Sequence, residues 1–451
     1  NYELWLYWST DPLKPPQYAK GPTRRIFFGW WIVAAGFSIQ ALNSALLYQS
    51  FGAYFVLLQT QFGWSRTILS GAISMREGVQ GLSGPVQGWL FDKIGPQPII
   101  RTGVLLFGLG FICLSYVHSI LAFYLIASVI AIGTVLTTWL PVSATLVNWF
   151  DRKRTMVLGM LMMGVAMGGF LVPIIAWSLT TFGWRPTAFG SGVASILIGL
   201  PLAQLFRRSP EQYGYLPDGD TPTGRTGVTS PLAARPERRH SRGGQTPHNL
   251  ISSSEALRSP AFWLISSSHA MAAIVVSAMA VHMIPHTVQR LGISLETAAV
   301  LVTVVALTSL VGNFVSGYVG DRWDKRVVIC FCMLGHSIAL VILAYASTLP
   351  QALAFAVIHG LSWGMRSPLI IVIRTEFFGR GSYARIMGLS EPMVTVGNIT
   401  GPLLAGAMAD KLGDYRLAFT VLASITALGS MLILTAGKPT YPDPTPHHVG
   451  T

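Results

Sequence analysis

Mostly apolar runs of about 20 residues or more recur twelve times along this chain, at 27–58, 66–91, 99–118, 120–148, 156–179, 187–206, 261–288, 297–319, 327–346, 350–376, 386–409 and 417–436. Wound as a helix, a run of that length crosses the hydrocarbon core of a bilayer. Between the sixth and seventh runs lies a polar stretch, 207–259, rich in Pro, Gly, Ser and Arg, which reads as a flexible linker. The pattern therefore predicts an all-α polytopic membrane protein with twelve transmembrane helices in two six-helix bundles. Its expected divisions are an N-terminal segment (1–26), a first bundle (27–206), a linker (207–260), a second bundle (261–436) and a tail (437–451).

Composition narrows the class further. Of the 451 residues, 51% are hydrophobic and 11% charged, against about 25% charged in ordinary soluble domains. A soluble core could not hide so much apolar surface. The three cysteines, Cys113, Cys330 and Cys332, all sit in apolar runs, so neither a disulfide framework nor a metal-ligand spacing is present. No metal and no cofactor is expected. The net charge of +13 suggests nucleic acid until its distribution is read. Of 31 lysines and arginines, 23 fall in alternate inter-run segments on the side of the termini, 5 on the other side, and 3 (Arg76, Arg366 and Arg374) within runs. That bias places both termini in the cytoplasm and the chain in the cell's inner (plasma) membrane. The bilayer is then the implied partner, with no nucleic acid, and a monomer is expected. Residues 1–21 lack an apolar signal-peptide core, so the first run is expected to act as an uncleaved anchor. The chain opens on Asn1 rather than Met, as a processed or partial chain would.

The two halves repeat. "GWLFDKIG" (88–95) after run 2 and "GYVGDRWD" (317–324) after run 8 place Asp92 and Asp321 229 positions apart, and "FGWS" (62–65) meets "LGIS" (291–294) at the same offset. Pro173 and Pro402 are also 229 apart, and Pro141 and Pro368 227 apart. Landmarks at one offset imply pseudo-symmetric bundles. The loop "GWLFDKIGPQPIIR" resembles the signature of the major facilitator superfamily, with Gly88, Asp92, Lys93, Gly95 and Arg101 in the matching positions. Within it, "FFGWWIVAAG", "NWFDRKR", "GVAMGGFLVP", "FGWRPTA" and "RRSPEQYGYLPDGD" are similar to the oxalate/formate antiporter and monocarboxylate transporter branch. The resemblance implies that this loop, with Asp321 and Arg322 in the other half, clamps the two halves when the cavity faces outward; a permanent salt bridge is the plainer alternative. It also implies that the helices carrying the glycines at 164, 168 and 169 and at 397 and 401 face the opposite half, although close packing within one half explains the same spacing.

No Walker loop, nucleophile elbow or zinc-binding His motif is present, so neither an enzyme nor a primary pump is indicated. A transporter's site is best sought where helices are interrupted at matching positions of the two halves. Runs 4 and 10 fit, with "TTWLPVS" (137–143) opposite "WGMRSPL" (363–369). Two residues before each proline stand Trp139 and Arg366, with His359 seven residues before Arg366 on nearly the same stripe. A mid-membrane guanidinium suits a carboxylate, and pairing to a neighbouring helix is the structural alternative. Gln40, Asn43, Ser44 and Tyr48 form a polar stripe in run 1. Arg76 and Glu77 stand adjacent inside run 2, where each charge costs roughly 2.5–3.5 kcal/mol at a helix centre. Because neighbours on a helix diverge, the pair is expected to serve different partners, Arg76 turning to the cavity or to Glu391 of run 11, and Glu77 being the candidate proton carrier. A static salt bridge is the alternative. His282 and His286, near the outer end of run 7, suit either solvated interfacial positions or a role in gating or proton binding. Runs 1 and 8 carry no charge, unlike the monocarboxylate carriers this chain resembles.

The sequence thus predicts a secondary transporter that moves a small organic anion, a monocarboxylate or dicarboxylate, by alternating access, by proton symport or anion exchange. A proton-coupled exporter of drug-like compounds is the second reading. A non-transporting solute sensor is the third, weakened because 207–259 has no periodic apolar pattern.

Overall fold

The structure is a computed structural model. It describes residues 27–213, 215–219, 253–320, 322–378 and 383–439, with backbone alone at 84, 85, 92, 154, 155 and 383–385. Among the described residues, fourteen of fifteen α-helices build twelve spans. In the first half these are α1 (Gly29–Asn43) continuing through a π-helix (Ser44–Gln49) into α2 (Phe51–Phe62), α3 (Arg66–Ile94), α4 (Pro96–Leu114), α5 (Ile120–Thr137) with α6 (Trp139–Trp149), α7 (Arg154–Phe182) and α8 (Trp184–Ala203). After a short α9 (Ser253–Arg258), the second half comprises α10 (Pro260–Leu291), α11 (Leu295–Gly320), α12 (Lys325–Tyr345), α13 (Leu349–Phe378), α14 (Tyr383–Leu412) and α15 (Arg416–Thr435).

Local chemistry sets the helix ends. The Ser65 and Ser119 hydroxyls accept from the backbone N–H groups of Ile68 and Ala122, and Asp324 accepts from that of Arg326, capping α3, α5 and α12. Pro96 and Pro260 open α4 and α10 where a missing N–H costs nothing. Gly63 and Gly292, 229 positions apart, close α2 and α10 in the same left-handed conformation, both at φ 63°; only glycine enters it freely.

The sequence repeat is thus a repeat in space, and the packing repeats with it. In the first half α1 packs on α7, α4 on α5 and α8, and α3 on α5. In the second, α10 packs on α14, α12 on α13 and α15, and α11 on α13. The halves meet along α3 with α14, α7 with α11, and α2 with α10. Ten of the twelve spans are long and apolar enough among the described residues to cross a membrane on composition alone. The other two, α3 and α14, face each other across the halves.

Three apolar cores show how the halves are tilted. One core is shared between the halves and gathers around Tyr54, Phe55, Val281, Ile284 and Tyr415, at the end opposite the linker. The other two each belong to one half and lie at the linker end, one around Ile32, Trp149 and Phe206, the other around Phe262, Phe377 and Ile433. The halves are joined at the far end and separate toward the linker.

The helices that carry the marked glycines do face the opposite half, α7 on α11 and α14 on α3, but most of the glycines themselves pack within their own. Gly164 and Gly168 lie against Phe37 and Ser44 of their own half, and Gly397 and Gly401 against the Ala270 and Ile274 carbonyls of α10; only Gly169, against Ala306, meets the other half. Small residues here let helices within a bundle approach closely. The linker's first residues are also less free than composition implies. Residues 207–213 and 215–219 dock on the first half, where the Arg207 guanidinium sits between Phe28 and Tyr213 at 4.1 and 4.2 Å from the ring centroids. The Trp149 indole N–H and the Asn148 amide donate to the carbonyls of Arg207 and Arg208.

Candidate functional site

The separation of the halves leaves a cavity of about 330 Å³ at mid-height. The first half lines it with Gln40, Asn43, Ser44 and Tyr48 of span 1, Arg76, Glu77 and Gln80 of α3, Thr134, Thr138 and Trp139 at the break of span 4, and Met162 and Val165 of α7; the second adds Trp363 and Asn398. Two backbone irregularities make this wall. Thr138, at φ −99° and ψ −131°, breaks span 4 between α5 and α6, and the Thr137 hydroxyl, which donates back to the Gly133 carbonyl, accepts from the Asn43 amide at 2.9 Å. In span 1, the π-helix carries the Gln49 amide back onto the Val165 carbonyl and the Ser44 hydroxyl. Irregular backbone at membrane depth is tolerated where it lines a cavity.

Arg76 and Glu77 both reach this cavity, and they pair with each other: an Arg76 guanidinium N–H donates to a Glu77 carboxylate oxygen. The expected divergence fails because the arginine side chain is long enough to curl back over its neighbour. The desolvated cation has no nearer anion. Arg76 also lies over the Tyr48 ring, 5.2 Å from its centroid. Its Nε has no partner, nor does the buried Gln40 Oε1, leaving a free donor and a free acceptor on the cavity residues. Glu391 is not Arg76's partner. Arg66 and Thr67 face Asp410, and Ser74 faces Ile399, so α3 and α14 run antiparallel with Glu391 level with residue 85, about 12 Å along the helix from Glu77. Glu391 remains within electrostatic reach of Glu77.

The second half's predicted residues divide. His359 and Trp363 line a small chamber of about 40 Å³, beside the cavity, with Tyr48, Gln49, Met279 and Met283. Arg366 is among the lining residues of neither space. It is 4% exposed. α13 runs unbroken through Pro368, so the interrupted-helix signal holds for span 4 and fails for span 10. The guanidinium lies inside the second bundle, with Cys332 and Arg374 as its electrostatic neighbours.

At the far end the halves are tied together. Asp410 accepts from the backbone N–H groups of Arg66 and Thr67, at 2.9 and 2.8 Å, and from the Thr67 hydroxyl at 2.6 Å. Arg66 donates to the Ala409 carbonyl and to Gln289, and Thr180 donates to Glu296. His282 and His286, read as interfacial, are fully buried here. His282 Nε2 donates to the Pro402 carbonyl, which cannot donate in return, and lies 3.0 Å from Ser70 Oγ across the halves; Nδ1 then accepts from the Tyr415 hydroxyl. His286 Nε2 donates to the Leu343 carbonyl. Tertiary packing of the shared core encloses both rings, which their position near a span's end does not disclose.

At the linker end, no hydrogen bond or ion pair joins the two bundles among the described residues. Gly95, at φ 76°, ends α3. The ammonium of Lys93 lies over Trp89, Arg322 lies over Tyr318, and Arg101 is half-buried on α4. Gly88 faces open space. Asp92 is described by its backbone on the last turn of α3, and Asp321 lies outside the described residues. Asp218 secures the neighbouring loop. Burial alone would raise its carboxyl, but N–H groups of Arg152, Asp151 and Lys153 outweigh that and hold it below the usual carboxylate value.

A molecule with two repeated bundles, a mid-height cavity and one closed end has the geometry of an alternating-access carrier. The family model of the Major Facilitator Superfamily matches residues 26–285 and 270–449. The chain belongs to the Major Facilitator Superfamily. It is related to monocarboxylate transporters. It is 27% identical to Monocarboxylate transporter 13 of Rattus norvegicus, over 90% of this chain and 89% of the relative, and 26% identical to Monocarboxylate transporter 11 of Homo sapiens, over 90% and 82%. Among solved structures, a bacterial homolog of the human lysosomal transporter Spinster, inward-facing and unoccupied, matches the fold with a TM-score of 0.66 at 18% identity, over 92% of this chain and 95% of that one. Members of this superfamily are transporters, not enzymes. Sequence reasoning found Gln40, Asn43, Tyr48, Arg76, Glu77 and Trp139 on the cavity wall. It missed Trp363, which sits between the predicted His359 and Arg366, and Asn398, one residue after the marked Gly397.

Proposed function

We propose that this chain carries a small organic anion of the monocarboxylate class across the plasma membrane, together with a proton, by alternating access. With both termini in the cytoplasm, the linker end faces inward and the described conformation is inward-open. The observation that carries the reading is the Arg76–Glu77 pair on the wall of a cavity shared by the two halves. An empty carrier keeps the pair closed and electrically neutral, so it can reorient without moving net charge. An incoming carboxylate competes with Glu77 for the Arg76 guanidinium and its unpartnered Nε. A displaced glutamate at membrane depth is costly as an anion, and taking a proton removes that cost. The loaded site then holds one cation, one substrate anion and one neutral acid. A single guanidinium with a resident carboxylate supports a monocarboxylate over a dicarboxylate. Gln40, Asn43 and Tyr48 orient the substrate, and Trp139 and Trp363 bound its size. Breaking the Arg66–Thr67–Asp410 lock, while the signature-loop residues clamp the linker end, completes the cycle; Glu391 stands beside the inward path of the proton.

The test is uptake of labelled monocarboxylates, from formate to larger aliphatic acids, into proteoliposomes with an imposed pH gradient. The reading expects gradient-driven accumulation that is lost in Arg76→Gln with the protein still monodisperse. Undiminished uptake by Arg76→Gln would remove the cavity arginine as the anion site.

A further inference from the structure

The second bundle holds a charge that the transport cycle above does not use. Arg366 is 4% exposed, and its Nε and Nη1 have no hydrogen-bond partner. No carboxylate pairs with it among the described residues. A buried guanidinium without a counter-charge bears a desolvation cost of several kcal/mol, and native structures rarely leave one uncompensated.

The surroundings identify what is missing. On α12, Cys332 and His336 stand one turn apart; on α13, His359 and Arg366 lie seven residues apart on one stripe. His336 and His359 are both buried electrostatic neighbours of Arg366. Their two Nδ1 atoms are 3.1 Å apart, so one ring donates and the other accepts. His336 Nε2 has no partner. When His359 donates, the neutral His336 must carry its hydrogen on Nε2, so that N–H becomes a third buried donor lacking an acceptor. Three unmatched nitrogens, two of them on one guanidinium, therefore share the interior between α12 and α13. The polar groups around Arg366 are the imidazoles of His269, His336 and His359, the Cys332 thiol and a second guanidinium, that of Arg374, which donates to His269; none of them is an anion. The occupant that balances it is an anion, single in charge and compact, because the site is closed. His359 also lines the small chamber beside the transport cavity, which gives an approach from the aqueous side.

We infer that Arg366, with His336 and His359, forms a second anion-binding position inside the C-terminal bundle that takes a small monovalent anion of the size of chloride or formate. It is separate from the Arg76 site and does not require that the Arg76–Glu77 reading be correct. Binding there fixes the His336 tautomer and neutralises the second half's core, so its occupancy sets the stability of that half.

The experiment is thermal unfolding of the purified full chain in gluconate medium, an anion too large for the site, titrated with sodium chloride or sodium formate at constant ionic strength. Wild type is expected to show a saturable rise on the order of 5 °C. Saturation by chloride marks the solution halide as the occupant, and saturation by formate alone marks a carboxylate. The rise is expected to vanish in Arg366→Gln and persist in Arg76→Gln. In gluconate alone Arg366→Gln should melt above wild type, because an uncompensated cation has been removed. Arg366→Lys should keep the rise at roughly tenfold weaker affinity. No anion dependence in wild type, an unchanged rise in Arg366→Gln, or failure of Arg366→Gln to fold in gluconate would each overturn the inference. A rise lost only in Arg76→Gln would place all anion binding in the cavity, leaving the proposed function intact and this site refuted.

Discussion

Each half of the molecule buries a guanidinium near mid-membrane, and the two are treated in opposite ways. Arg76 of the first half faces a water-accessible cavity and carries its own counter-ion one residue away. Arg366 of the second is sealed behind the wall and has none. The same side chain at similar depth thus has two different uses. A cation with a resident carboxylate can release it to an incoming anion without leaving either state unbalanced. A cation without one is stable only when something outside the chain is bound. Pseudo-symmetry explains neither: at the 229 offset Arg76 and Glu77 correspond to Val305 and Ala306, and Arg366 to Thr137, so each charge belongs to one half only.

The comparison can be broken most forcefully by making the first region like the second. Glu77→Ala leaves Arg76 uncompensated and is expected to cost about 3 kcal/mol of stability, measured by denaturant unfolding in bicelles. The double change Arg76→Leu with Glu77→Leu should recover most of that loss, because the two charges disappear together. A double variant as unstable as Glu77→Ala would show that the pair is not self-contained. Next in size are the packing glycines. A Cβ on Gly401 would meet the Ile274 carbonyl, whereas one on Gly78 finds only Ile399 Cδ1 at 3.6 Å. Gly401→Ala should therefore destabilise the second bundle by about 1–3 kcal/mol, and Gly78→Ala should be nearly neutral in the same unfolding assay. Equal effects would mean that these contacts do not position α14.

Smaller effects test the two ends. Asp410→Asn weakens the far-end lock, which is partly solvent-exposed, so about 1 kcal/mol is at stake. Labelling of a cysteine placed at Ser70, which is buried between the halves against His282, should then rise roughly fivefold as the far end opens more often. The smallest change concerns Asp218. Its folded carboxyl titrates below the ordinary value, so its contribution is present above the unfolded value and is lost as pH falls through the lower folded one. Acidification below about pH 4 should release residues 207–213 and 215–219 to proteolysis. Asp218→Asn should remove that acid dependence while costing about 1 kcal/mol at neutral pH.

Much of the architecture was legible because membrane depth makes strong demands on sequence. Apolar run length, the Gly63 and Gly292 caps and the shared offset all express one-residue or one-run constraints, and the helices follow them. The site was legible in the first half, where polar groups in an apolar run have few uses other than lining water. It was less so in the second. Pro368 predicted a break like that at Thr138, but its lost hydrogen bond is absorbed inside α13, and Arg366 turns into the bundle. The π-helix at Ser44–Gln49 carries no proline or glycine to announce it. The pairing of Arg76 with Glu77 depends on side-chain reach, which helical periodicity does not encode. Burial of His282 depends on Phe55 and Ser70 of the other half, and that of His286 on Leu343, Tyr415 and Phe419 of its own, information that lies far along the chain from either ring.

The central claim is that Glu77 exchanges a proton as the substrate displaces it from Arg76. The direct measurement is monocarboxylate uptake by Glu77→Gln proteoliposomes, with and without an inward proton gradient. The account predicts that anion exchange persists at zero gradient while accumulation driven by the gradient disappears. Gradient-driven accumulation equal to that of the wild type, with the same dependence on pH, would contradict it.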